Sequence, residues 1–139
     1  MLLGLATALL GTSAHAAPRV LSLDQCADQY VMALSPRAAI VGVSTRADDA
    51  DSRLRALATG LPQRRADLET ALAARPDVVV RYWGGEPRLI RALEDRGVRV
   101  VTIGEATGFG DVRRSIRQVA AALGQRPAGE TLIARMDAR

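Results

Sequence analysis

Short apolar runs alternate with segments of helical periodicity along almost the whole chain. Val20 to Leu23, Ile40 to Val43, Val78 to Arg81 and Arg99 to Ile103 read as four strands, each bounded by turn or breaker residues. Between and after them lie helical stretches. Ala27 to Leu34 is closed by Ser35-Pro36, and Asp51 to Ala58 is ended by Gly60. Leu68 to Ala74 has Asp67 as its N-cap and Pro76 beyond it, and Pro87 to Arg96 has proline in its first turn and Gly97 at its end. Asp111 to Leu123 carries Val112, Ile116, Val119, Ala120 and Leu123 on one face, with Arg113, Arg114 and Arg117 away from it. A last helix starts near Ala128 and is still running at Arg139, as if the chain were cut inside it.

Strands alternating with helices predict an α/β fold, a mostly parallel sheet flanked by helices on both faces. In open sheets of this kind ligands gather outside the carboxyl ends of the strands. There Val78-Val79-Val80 runs into Arg81-Tyr82-Trp83-Gly84-Gly85, which places two of the four aromatic residues side by side, just before two glycines. Two readings stand. The rings form a ligand lip, or one packs under the neighbouring helix and the other lies on the surface.

The amino terminus breaks the pattern. Met1 to Leu10 is almost wholly apolar and Ala14-His15-Ala16 is a small-x-small cleavage signature, so residues 1–16 read as a secretory signal peptide, although no Lys or Arg precedes the apolar core. The stretch is too short to span a membrane. The remaining length suits one domain with a real core.

Charge and composition mainly exclude. The 139 residues carry a net charge of +4, and every basic residue is Arg. These arginines are scattered among acids with no basic run, which argues against nucleic-acid binding. The single histidine leaves with the signal peptide, so Ser-His-Asp and Cys-His catalysis are excluded within the mature chain and a tight zinc or manganese site is disfavoured. No G-x-S-x-G elbow, dinucleotide fingerprint or P-loop is present; Gly108-Phe109-Gly110 fails the fingerprint because Arg113 stands at its third glycine position. Asp48-Asp49-Ala50-Asp51 lacks the closing Glu of a calcium loop and reads as a solvated turn. Cys26, the one cysteine, reads first as a small buried hydrophobe and second as half of a disulfide to a segment not in this chain. No lipid-anchor motif surrounds it.

Four stretches together carry a family resemblance. They are Arg19-Val20-Leu21-Ser22-Leu23 with Cys26-Ala27-Asp28-Gln29; Ile40-Val41-Gly42-Val43-Ser44; Leu68-Glu69 through Arg75-Pro76-Asp77-Val78-Val79-Val80; and Leu93-Glu94 through Gly97-Val98-Arg99-Val100-Val101. In this order and spacing they resemble the amino-terminal lobe of the periplasmic substrate-binding proteins of ABC importers, in the class that serves ferric siderophores, haem and cobalamin.

The resemblance implies two α/β lobes joined by one long helix, with ligand held between them. Residues 17–124 would be the first lobe and residues 125–139 the start of the inter-lobe helix, the second lobe being absent. It implies a periplasmic, monomeric protein without a cofactor that delivers a chelated metal or corrinoid to an ABC permease. It assigns ligand contact to Tyr82, Trp83, Gly84 and Gly85, with Arg81 meeting an anionic edge. It assigns permease docking to the first helix at Asp28 and Gln29, where the family's usual residue is Glu; stabilisation of the helix terminus is the other role open to Asp28. The competing functions are an exported α/β enzyme whose catalytic residues lie in a missing carboxyl-terminal half, and a solute sensor that docks to a receptor.

Overall fold

Val78, Val79 and Val80 are buried on both sides of the chain, which only a central strand covered by helices on both faces achieves. The computed structural model describes residues 15–139, so most of the expected signal peptide lies outside the described residues. Strands β1 (Val20–Ser22), β2 (Ile40–Ser44), β3 (Gln63–Arg64), β4 (Val78–Tyr82) and β5 (Arg99–Ile103) form one parallel sheet in the order β3-β2-β1-β4-β5. The helices are α1 (Gln25–Leu34), α2 (Arg55–Ala58), α3 (Leu68–Ala73), α4 (Pro87–Glu94), α5 (Phe109–Ala122) and α6 (Arg126–Asp137).

Alternation along the strands sorts the side chains into two cores. Val20, Val78, Val80, Val101 and Ile103 pack with Val31 of α1 and with Ile116 and Val119 of α5. Leu21, Val79 and Val100 face the other way, onto Ala71 of α3 and Leu89 and Leu93 of α4. Each fully buried Val or Leu contributes about 1.5–3 kcal/mol, so the three consecutive valines of β4 tie both layers to one strand.

The structure extends the sequence reading in several places. β3 is a strand the pattern does not predict: its two residues have no apolar periodicity, and it forms because Val43 and Ser44 leave an open edge with which Gln63 and Arg64 pair. Val78 to Tyr82 is therefore the fourth strand in the chain, not the third. Helix α2 is shorter than expected, because the chain from Arg46 to Leu54 is spent in successive turns, with Asp49 N–H donating to Arg46 O and Ser52 N–H to Asp49 O. Helix α6 begins at Arg126, with Pro127 in its first turn, and ends at Asp137, short of the expected run through Arg139.

Helix α6 lies against α5 at a close approach: a Cβ on Gly129 would stand 2.7 Å from Cβ of Ala120. Arg117 pairs with Glu130 at 2.8 Å and Arg113 with Asp137 at 2.6 Å along the same seam.

Candidate functional site

From β1 the sheet grows one way to β2 and β3 and the other way to β4 and β5, so the carboxyl ends of β1 and β4 flank a topological switch point, the place where such sheets hold ligands. β1 exits there through Leu23 and Asp24, and β4 exits through Tyr82 to Gly85. A hollow of about 310 Å³ opens between them, lined by Leu23, Asp24, Arg81, Trp83, Gly85 and Leu89 among others. The sequence-predicted ligand residues Arg81, Tyr82, Trp83, Gly84 and Gly85 all border it.

The backbone here is held residue by residue. Tyr82 N–H donates to Asp24 Oδ2 at 2.6 Å, and Trp83 N–H donates to Ile103 O at 2.9 Å. Gly84 and Gly85 then take φ of +88° and +78°, a left-handed pair that glycine adopts without steric cost. Arg81 Nε donates to Tyr82 O at 3.0 Å, and among the described residues Arg81 has no acidic partner, so its cation is available to the hollow.

The two rings are placed differently. Tyr82 is half-buried against the α1 and α5 core, whereas Trp83 is 54% exposed. Their centroids are 6.0 Å apart with the planes at 50°. One ring packs and the other lies on the surface, and both still line the hollow.

On the far side of Tyr82 lies a larger, more apolar groove of about 950 Å³, walled by Tyr30, Leu54, Phe109, Val112, Leu132 and Met136 among others. Phe109, at the start of α5, is 71% exposed on its rim. Sequence reasoning did not reach Tyr30 or Phe109; the signal for Phe109 was a lone aromatic between two glycines at a helix start. Among the described residues no cluster of His, Cys, Asp and Glu is arranged to hold a metal ion.

Asp28 and Gln29, where the resemblance implies permease docking, both have side chains engaged within the chain. Asp28 has no exposed surface: Ser44 N–H donates to its Oδ1 at 2.9 Å and Ser44 Oγ to its Oδ2 at 2.6 Å. Burial pushes its carboxyl above the ordinary carboxylate range, against the opposing hydrogen bonds from Ser44 and Ser22. Gln29 is also turned inward; it donates to Ser52 Oγ at 3.0 Å and accepts from Leu54 N–H at 3.0 Å. Asp28 braces α1 against the carboxyl end of β2, and Gln29 braces it against the turns that follow.

The structure also corrects Cys26, which is exposed and unpaired rather than buried. It sits in the first turn of α1, whose inward face is taken by Ala27, Asp28 and Val31. Partial desolvation, and then the Asp24 carboxylate, push its thiol up.

The sheet is thus a parallel α/β sheet with an aromatic, glycine-lined hollow at its switch point. The sequence model described as periplasmic binding protein matches residues 20–139, and the chain belongs to that family. Among curated proteins none matches. Several solved structures are similar. The periplasmic haem-binding protein BhuT in complex with two haems is 32% identical with a TM-score of 0.71, over 88% of this chain and 47% of that one. The periplasmic haem-binding protein RhuT from Roseiflexus sp. RS-1 is 26% identical with a TM-score of 0.71, over 88% of this chain and 47% of that one. The periplasmic vitamin B12 binding protein BtuF of Vibrio cholerae shares the fold at 18% identity and a TM-score of 0.65, over 86% of this chain and 46% of that one. The chain thus spans a little under half the length of these proteins.

Proposed function

We propose that this chain supplies one wall of the ligand cleft of an exported solute-binding protein, which captures a chelated metal or corrinoid (a ferric siderophore, cobalamin or haem) in the periplasm and delivers it to an ABC permease. The observation that carries the reading is the hollow at the β1/β4 switch point, lined together by Trp83, Tyr82, Arg81 and the left-handed pair Gly84 and Gly85. A metal already wrapped by its own ligand asks for shape, ring faces and a cation for an anionic edge, and needs no histidine from the protein. Similarity to BhuT and RhuT, both haem-binding by name, supports the chelate class. Residues 17–124 act as the lobe and residues 125–139 as the beginning of the element that leads to the opposite wall.

The test is a titration of the protein expressed with all its gene encodes beyond Arg139. Haemin, vitamin B12 and a ferric hydroxamate are added while tryptophan emission is followed, with Trp83→Phe as the control that assigns the signal. Saturable quenching by one of them is expected, and isothermal titration calorimetry, which needs no tryptophan, should show that affinity lost in the Tyr82→Ala/Trp83→Ala double variant. No response to any of the three overturns the chelate reading, and full affinity in the double variant overturns the site.

A further inference from the structure

We propose that Asp24 is the positioning residue of this site: its carboxylate fixes the exit of β4, and so sets where the Tyr82 ring and the Arg81 guanidinium stand. The inference rests on the reading of the Arg81 to Gly85 segment as the ligand lip.

The sheet makes such a residue necessary. β1 and β4 pair in register only as far as Ser22 opposite Val80, and the last backbone bond between them is Leu23 N–H to Val80 O at 3.1 Å. β4 continues to Tyr82 with a partner on the β5 side only, through Arg81 opposite Thr102 and Tyr82 opposite Ile103. The Tyr82 N–H on the vacated side needs an acceptor, because an unpaired backbone donor in a half-buried position is costly. Asp24 provides it from the turn into α1. Oδ1 accepts Ala27 N–H at 2.8 Å and caps the helix, while Oδ2 accepts Tyr82 N–H at 2.6 Å and continues the work of β1. One carboxylate therefore joins the start of α1 to the end of β4 across the switch point, and its charge strengthens both bonds.

The consequence runs directly into the lip. Tyr82 N–H is held from the β1 side by Asp24, and Trp83 N–H from the β5 side by Ile103 O, so successive amides are clamped from opposite directions before the glycine pair begins. The Tyr82 carbonyl in turn receives Arg81 Nε, so the clamp orients the cation as well as the ring. Releasing Tyr82 N–H loosens aromatic wall and charge together.

Asp24→Ser separates this role from helix capping. Serine is among the strongest N-caps but its hydroxyl is too short to hold the Tyr82 amide at the same time. In the full-length protein we expect a folded variant with α1 intact and a melting temperature lowered only by the lost Tyr82 bond, Tyr82 amide hydrogen exchange faster by at least about tenfold, and Kd for whichever probe binds the wild type (haemin, vitamin B12 or a ferric hydroxamate) raised about tenfold. Asp24→Asn, which keeps size and one acceptor, serves if the serine variant does not fold, with the same expectation. Unchanged Tyr82 exchange or unchanged Kd in a folded variant overturns the proposal. Failure of the wild type to bind haemin, vitamin B12 or a ferric hydroxamate is a different outcome: it removes the ligand reading on which the proposal rests, and it is seen before any variant is made.

Discussion

Ser44 Oγ donates to Asp28 Oδ2 at 2.6 Å where both residues are buried, so the carboxyl end of β2 is strapped to α1 by a carboxyl group that forms no ion pair among the described residues. A carboxyl whose folded pKa is raised binds its proton more tightly in the native state than in the unfolded chain. Its contribution is then fully favourable below the ordinary aspartate value, near 3.9, and is lost as pH rises through the raised folded value. Asp28→Asn removes this titration. The difference in unfolding free energy between variant and wild type, followed by urea denaturation from pH 4 to pH 8, should shift in favour of the variant as pH rises. A difference independent of pH would show that Asp28 does not titrate in this window. Asp28→Ala has no acceptor for Ser44 and should cost about 1–3 kcal/mol at every pH.

The seam between α5 and α6 makes a second prediction. Glycine to alanine inside a helix ordinarily stabilises by about 0.5–1 kcal/mol, yet at Gly129 the added methyl would stand 2.7 Å from the Ala120 methyl. Gly129→Ala should therefore destabilise, by about 1–3 kcal/mol as overpacking does. The double variant Gly129→Ala/Ala120→Gly should recover part of the loss beyond additivity in a thermal-denaturation cycle. Additive effects would mean that the helices do not meet at these two residues.

Much of this architecture is legible in the sequence, because buried parallel strands leave unmistakable marks. Val78-Val79-Val80 and the Asp67, Pro87 and Gly97 punctuation locate β4, α3 and α4 to within a residue or two. β3 is not legible, since Gln63 and Arg64 become a strand only through the edge that β2 offers them. In the candidate site, Arg81 to Gly85 are legible as a group from their place at the carboxyl end of β4 and just beyond it. The role of Asp24 is not legible, because it depends on Tyr82, far away in sequence and adjacent only after folding. The burial of Asp28 is legible too: its helical spacing with Ala27, Val31 and Leu34 puts it on the inward face of α1, whereas the docking role comes only from the family resemblance.

Gly84 tests backbone conformation without side-chain crowding. A Cβ there would meet nothing within 4 Å, so any cost of substitution comes from its φ of +88°. Gly84→Ala should lower stability by about 1 kcal/mol, and Gly84→Asn by less, because asparagine tolerates left-handed backbone. Equal melting temperatures for all three proteins would show that the turn relaxes to a φ open to any residue.

Cys26 provides a chemical probe of the same corner, since it lines both the lip hollow and the apolar groove. Desolvation and the Asp24 charge raise its thiol, while Arg46 opposes them, so at neutral pH little of it is the reactive thiolate. Iodoacetamide should label Cys26 more slowly than free cysteine at pH 7.5, with the rate still climbing above pH 8.5, the region where an ordinary thiol begins to level off. Removing the nearby negative charge in Asp24→Ser should speed labelling at pH 7.5, and removing the nearby positive charge in Arg46→Ala should slow it. Rates read by intact-protein mass spectrometry decide the matter: labelling as fast as free cysteine, or indifferent to both substitutions, would show that the thiol does not feel the Asp24 carboxylate. Saturating ligand should slow labelling of Cys26, because the residue lines both hollows.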